Sequence, residues 1–171
     1  MGNFGGSVAI RTTAELGDLL RTTGFTGIED AEVWAEDWQV AEFADAGQRS
    51  LADLVEKAGA PAVMVSFLDS DVGFVEAMTP DGGAWTGLLN RDTAESYEIP
   101  LDEFPVEPAV AGARAWSAAA GLTSRAEAVR QALTGSATFA EELFGLLLVG
   151  LGIPGASSGD GPTVSGNLTQ D

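Results

Sequence analysis

The chain has 171 residues, 45% of them hydrophobic, with 26 acidic against 8 basic side chains and a formal net charge of −18. That length and apolar content provide one well-buried core and exclude an acidic disordered tail. With no histidine and no cysteine, the chain lacks imidazole bases, thiol nucleophiles, disulfides and the usual zinc ligands, and its charge repels nucleic acid and bare phosphate while attracting basic proteins.

The start, Met1 to Gly6, has neither a basic n-region nor an apolar core, so it does not read as a signal peptide. Ser7 to Thr12 alternates and predicts a first strand. Thr12-Thr13-Ala14-Glu15 has the spacing of a capping box, ahead of Leu16, Leu19 and Leu20 at helical spacing, with Gly24 as the stop. Glu29 to Asp45 fits two periodicities. Trp34, Trp38 and Ala41 suit one helix face, whereas Val33-Trp34 and Trp38 to Phe43 suit two strands around Glu36-Asp37; the aromatic and β-branched content favours the strands.

Ser50-Leu51-Ala52-Asp53 opens a short helix that stops by Gly59-Ala60-Pro61. Next comes an antiparallel meander: Ala62–Leu68, the turn Asp69-Ser70-Asp71, Val72–Met78, the turn Pro80-Asp81-Gly82-Gly83, and Ala84–Leu89. Asp92 to Tyr97 is one helical turn, and proline-bearing Ile99 to Glu107 reads as a linker. Helices follow over Ala109–Ala120, from Ser124-Arg125-Ala126-Glu127 to Leu133, and from Thr138-Phe139-Ala140-Glu141 to about Leu151; the last two start on capping-box spacings. The run Leu143 to Ile153 is too short to span a bilayer, which takes about 20 residues.

The expected fold is α+β: an antiparallel sheet centred on the meander at 62–90, packed with helices, with a helical C-terminal part. Residues 1–154 form one domain, divided into an acidic sheet-rich part at 1–103 and a helical part at 107–153. The Gly-, Ser- and Pro-rich stretch 155–171 reads as a disordered tail. Residues 1–103 hold 20 acids and 5 bases, and residues 104–171 hold 6 and 3, so the sheet part carries the field.

Seven carboxylates, Glu29, Asp30, Glu32, Glu36, Asp37, Glu42 and Asp45, fall within 17 residues with no base among them. Interleaved with Trp34 and Trp38, they read as a patch for a basic protein: carboxylates steer the partner and aromatics anchor it. The bland reading is a solvated face whose tryptophans point inward. Asp69 and Asp71 offer a second contact, although aspartate is also an ordinary turn residue. The expected partner-binding residues are Glu32, Trp34, Glu36, Asp37, Trp38, Glu42, Asp69 and Asp71. No catalytic, cofactor or metal site is expected.

The Lys-poor, Ala/Gly/Arg-rich usage, with Lys57 the only lysine, suggests a GC-rich bacterial genome. Ala60-Pro61-Ala62-Val63, Leu68-Asp69-Ser70-Asp71-Val72, Val75-Glu76, Thr79-Pro80-Asp81-Gly82, Trp85 to Asn90, Ala115-Trp116 and Phe139-Ala140-Glu141-Glu142-Leu143 together resemble small acidic actinobacterial proteins of the polymorphic-toxin immunity type. The resemblance covers roughly residues 60–150 and none of its motifs is diagnostic. It implies a non-catalytic cytoplasmic module that occludes the active site of a cognate basic toxin, with no nucleic-acid or membrane partner and no defined oligomeric state.

The rival classes differ in their signs. A secretion-system chaperone or adaptor would hold a client on an exposed apolar helix at 139–153. An enzyme using carboxylates alone would show carboxyl groups converging in a cleft, one of them with a raised pKa. A nucleic-acid mimic would space its carboxylates like phosphates along an elongated surface.

Overall fold

Ala62–Leu68 is buried along nearly its whole length, on both faces, so it occupies the middle of a sheet, with helices above and below. The computed structural model describes residues 4–156; the tail expected at 155–171 lies almost wholly outside them. Among the described residues there are eight strands and six α-helices, and the fold is α+β as expected. The strands are β1 (Gly6–Arg11), β2 (Phe25–Thr26), β3 (Glu29–Val33), β4 (Trp38–Phe43), β5 (Asp45–Ala46), β6 (Ala62–Leu68), β7 (Val72–Met78) and β8 (Ala84–Leu89). The helices are α1 (Leu16–Thr22), α2 (Ser50–Ala58), α3 (Arg91–Ser96), α4 (Val106–Ala119), α5 (Ala126–Thr134) and α6 (Ala140–Leu151).

The main sheet runs β3-β4-β1-β6-β7-β8 with antiparallel neighbours, and β2 pairs with β5 beside it. The expected meander is β6-β7-β8. The acidic segment is the hairpin β3-β4, which settles its ambiguous periodicity in favour of strands.

Alternation along the strands sorts side chains into two layers. Val8, Ile10, Ala41, Phe43, Ala62 and Met64 face Leu16 and Leu20 of α1 and Leu51, Leu54 and Val55 of α2. Ala9, Trp38, Val63, Val65, Phe67, Val75 and Leu89 face the opposite way, into a core completed by α4, α5 and α6. Trp116 of α4 ties this layer down: its indole N–H lies within hydrogen-bonding distance of the carbonyls of Ala62 (3.2 Å) and Met78 (3.0 Å), at one end of β6-β7.

The helix starts depart from the capping boxes read in the sequence. Thr12 Oγ1 accepts from the Ala14 N–H, and Glu15 itself caps α1, accepting from the N–H groups of Gly17 and Asp18. Helix α5 begins at Ala126 with no side-chain cap; the Arg125 N–H goes instead to the Gly150 carbonyl at 2.7 Å. At α6 the Ala140 N–H donates to the Ser70 carbonyl at 2.7 Å, and Glu142 accepts from the Phe139 N–H at 3.2 Å. Orphan helix N–H groups donate to whatever acceptor the neighbouring segment supplies, so tertiary packing displaced local capping at α5 and supplemented it at α6. Helix α6 ends at Gly152 (φ 85°), where a Cβ would lie 2.4 Å from the Thr123 carbonyl oxygen, so both conformation and space call for glycine.

The segment read as a linker is folded back onto the sheet. Leu101–Glu103 forms a 3-10 turn, while Ile99, Leu101 and Phe104 pack on Val72, Leu88 and Ala94. The Arg91 guanidinium donates to the carbonyls of Leu101 and Phe104. Among the described residues no helix is long and apolar enough to cross a membrane.

Candidate functional site

The helical layer α4–α6 covers β6, β7 and β8 more fully than β4 and β3, so the hairpin β3-β4 overhangs α6 and leaves a cleft. Its volume is about 500 Å³, within the range of ligand-binding clefts. Its carboxylates are Asp30 and Glu32 from β3, Glu42 from β4 and Glu141 from the first turn of α6. Its apolar surface comes from Trp34, Val40, Phe67, Phe144 and Leu148, with Gly145 opening the helix side. No base is among the lining residues.

Strand geometry explains this gathering. Val40 and Glu42 share one face of β4, and Glu32 lies directly opposite Val40. The register shifts between Glu29 and Glu32, where Asp30 adopts φ 51°; this bulge brings Asp30 round to the cleft. The same bulge and the exposed acids of β3 protect the sheet edge from pairing with another strand. Glu29 falls opposite Glu42, a like-charge pair that costs stability. Partial burial pushes the Glu42 carboxyl above the usual range, and Asp30, Glu29, Glu141 and Glu32 push it the same way. Glu32 is oriented by the Trp34 indole N–H, which donates to Oε1 at 2.7 Å.

The expected partner-binding residues divide. Glu32, Trp34 and Glu42 meet in the cleft. Glu36 and Asp37 occupy the exposed hairpin tip, a two-residue turn closed by the Trp38 N–H donating to the Ala35 carbonyl at 2.9 Å, with φ 51° and 76°. Trp38 is corrected from anchor to core residue: it is 1% exposed, and its ring lies 6.1 Å from that of Trp116. Its strand alternates with Gln39, so the side of β4 that faces α4 takes the indole. Trp34, by contrast, lies beyond the end of β3 and is only partly buried.

Asp69 and Asp71 lie at the opposite end of the sheet from Glu36 and Asp37. Asp71 accepts from the Tyr97 hydroxyl at 2.5 Å, which raises the Tyr97 pKa. The turn approaches the cleft through Ser70, whose hydroxyl donates to Glu141 Oε2 at 2.7 Å. Asn90, 1% exposed, fixes that end of the molecule. Its side-chain NH₂ donates to the carbonyls of Asp71 (2.7 Å) and Ala137 (2.9 Å), and its Oδ1 accepts from the Ala137 N–H at 3.2 Å.

Sequence reasoning missed Asp30 and Glu141 as members of one site. Asp30 was visible as part of the acidic run, but Glu141 is more than a hundred residues away in sequence and carried no signal. The apolar helix proposed for a client is largely committed to the core: Leu143, Phe144, Leu147, Leu148 and Leu151 are buried, and Phe139 at its start stays 53% exposed.

Among the described residues no three or more acidic side chains converge closely enough to hold a metal ion. Asp30, Glu32 and Glu141 nevertheless lie near enough to Glu42 to push its carboxyl upward, so the cleft concentrates negative charge that a cationic ligand would offset. Comparison with protein-family models, curated proteins and solved structures finds no match.

Proposed function

We propose that this chain is a non-catalytic protein-binding module of the immunity type, which occludes the active site of a basic toxin enzyme in the cytoplasm. The observation that carries this reading is the cleft between β3-β4 and α6: four carboxylates, an apolar wall and no base among the lining residues. The tip carboxylates Glu36 and Asp37 extend the same sign of charge outward, where it steers a basic partner and speeds association.

The test is capture by the tagged full chain from a lysate of its host at low and moderate salt, followed by expression of the captured protein alone and together with this chain. The expected result is one stoichiometric basic partner, released by salt, that arrests growth alone and is neutralised by the chain. A partner without toxicity, or capture unaffected by Glu36→Lys with Asp37→Lys at low salt, overturns the reading.

A second reading rests on Glu42, whose raised pKa in a cleft with other carboxylates is also the sign of an enzyme using carboxylates alone. Hydrolysis of chromogenic glycosides that Glu42→Gln abolishes would establish it.

A further inference from the structure

We propose that the cleft between β3-β4 and α6 receives a short segment of a protein partner in which an arginine or lysine stands beside an apolar side chain. The proposal rests on the binding reading above and adds the chemistry of the occupant. Carboxylates approach from both walls, Glu32 and Glu42 from the hairpin and Glu141 from α6, and the surface between them is apolar. A bare cation would leave that apolar surface in water. A purely apolar segment would strip water from the carboxylates with nothing to replace it. A long basic side chain satisfies both, lying with its stem on the partly exposed Trp34 and Val40 and its charged head among the carboxylates.

Two features of the site fit this occupant. Gly145 has no side chain on the α6 wall, which leaves width for a peptide. Glu42 and Glu29 are directly opposed, so a cation between the strands and α6 relieves a repulsion already present. Binding should therefore expel whatever proton Glu42 retains.

The experiment uses the full chain and three probes titrated by calorimetry at mildly acid and neutral pH in low salt: acetyl-Leu-Arg-Leu-Arg-amide, the same peptide with glutamine for arginine, and spermine. The arginine peptide is expected to bind one per chain, at least about tenfold tighter than the glutamine peptide or spermine. Proton release, read from buffers of different ionisation enthalpy, should accompany binding at the lower pH and disappear in Glu42→Gln. Gly145→Leu, which fills the cleft while adding a good helix former, should abolish binding; Glu42→Gln should weaken it severalfold.

Spermine binding as tightly as the arginine peptide would assign the cleft to small polycations and overturn the proposal. So would an affinity unchanged in both Gly145→Leu and Glu42→Gln, or no binding by any probe. These failures leave the immunity reading standing if capture of the toxin still depends on Glu36 and Asp37. Loss of that dependence with the peptide still bound in the cleft would instead overturn the immunity reading alone.

Discussion

Glu42 of β4 lies directly across the strand pair from Glu29 of β3, a like-charge contact that folding creates and the unfolded chain does not have. Burial and the surrounding carboxylates raise the Glu42 pKa in the folded protein. The folded state then binds more protons than the unfolded state between the ordinary glutamate value and the raised one. Stability therefore falls as pH rises through that window, and the full penalty stands at neutral pH. Glu42→Gln is expected to stabilise the protein at neutral pH by about 0.5–1 kcal/mol, the scale of one cross-strand pair. The gain should vanish in acid below the glutamate range, where both forms are neutral. Thermal melts of the two proteins across pH check the sign.

The β3-β4 tip places Glu36 and Asp37 at positive φ, a turn that favours Asn-Gly. Glu36→Asn with Asp37→Gly is expected to stabilise the hairpin by about 1 kcal/mol through relief of left-handed strain. It removes two carboxylates at the same time. Denaturant midpoints should rise while association with a basic partner slows, and a stability gain with unchanged association at low salt would take the tip out of the interface.

Asn90 holds the Asp69–Asp71 turn and the approach to α6 together through three hydrogen bonds to Asp71 and Ala137. Asn90→Ala removes the side-chain partner of half-buried backbone groups of Asp71 and Ala137 and keeps a left-handed backbone, at φ 67°, without the residue type that tolerates it. The expected loss is about 2–3 kcal/mol, measurable by urea denaturation. Hydrogen exchange should quicken first at the start of α6. A loss confined to α3 would show that Asn90 does not support the cleft wall.

Of the four tryptophans, Trp38, Trp85 and Trp116 are 1%, 7% and 2% exposed, and Trp34, in the cleft, is only partly buried. Acrylamide quenching should therefore act almost entirely on Trp34. Trp34→Phe is expected to leave blue-shifted emission that the quencher hardly reaches, without loss of fold. Strong residual quenching would place a second indole at the surface.

The meander at 62–90, the first strand and the helices over 50–58 and 140–151 were legible because their signals are local. Apolar alternation, turn residues and helical spacing act over a few neighbours. The hairpin reading of 29–45 followed from aromatic and β-branched content in the same way. Less was legible where a tertiary partner replaced a local one. The Ser70 carbonyl takes the first N–H of α6, where Thr138 was read as the cap, Gly150 accepts from Arg125 beside a failed capping box, and Ile99, Leu101 and Phe104 pack half-buried on the sheet although the segment read as a linker.

By itself, the sequence determined an acidic α+β chain, its first strand, its meander and the segment that carries the carboxylates, because composition and periodicity are properties of short stretches; the two-residue strands Phe25–Thr26 and Asp45–Ala46 carry no such signal. Only the tertiary structure decided which carboxylates line one cleft. The overhang of β3-β4 on α6 joins Asp30, Glu32 and Glu42 to Glu141, and alternation along β4 sends Trp38 into the core while Trp34 lies beside the cleft. Those choices depend on sheet order and helix docking, which are set by the burial of distant apolar faces against each other.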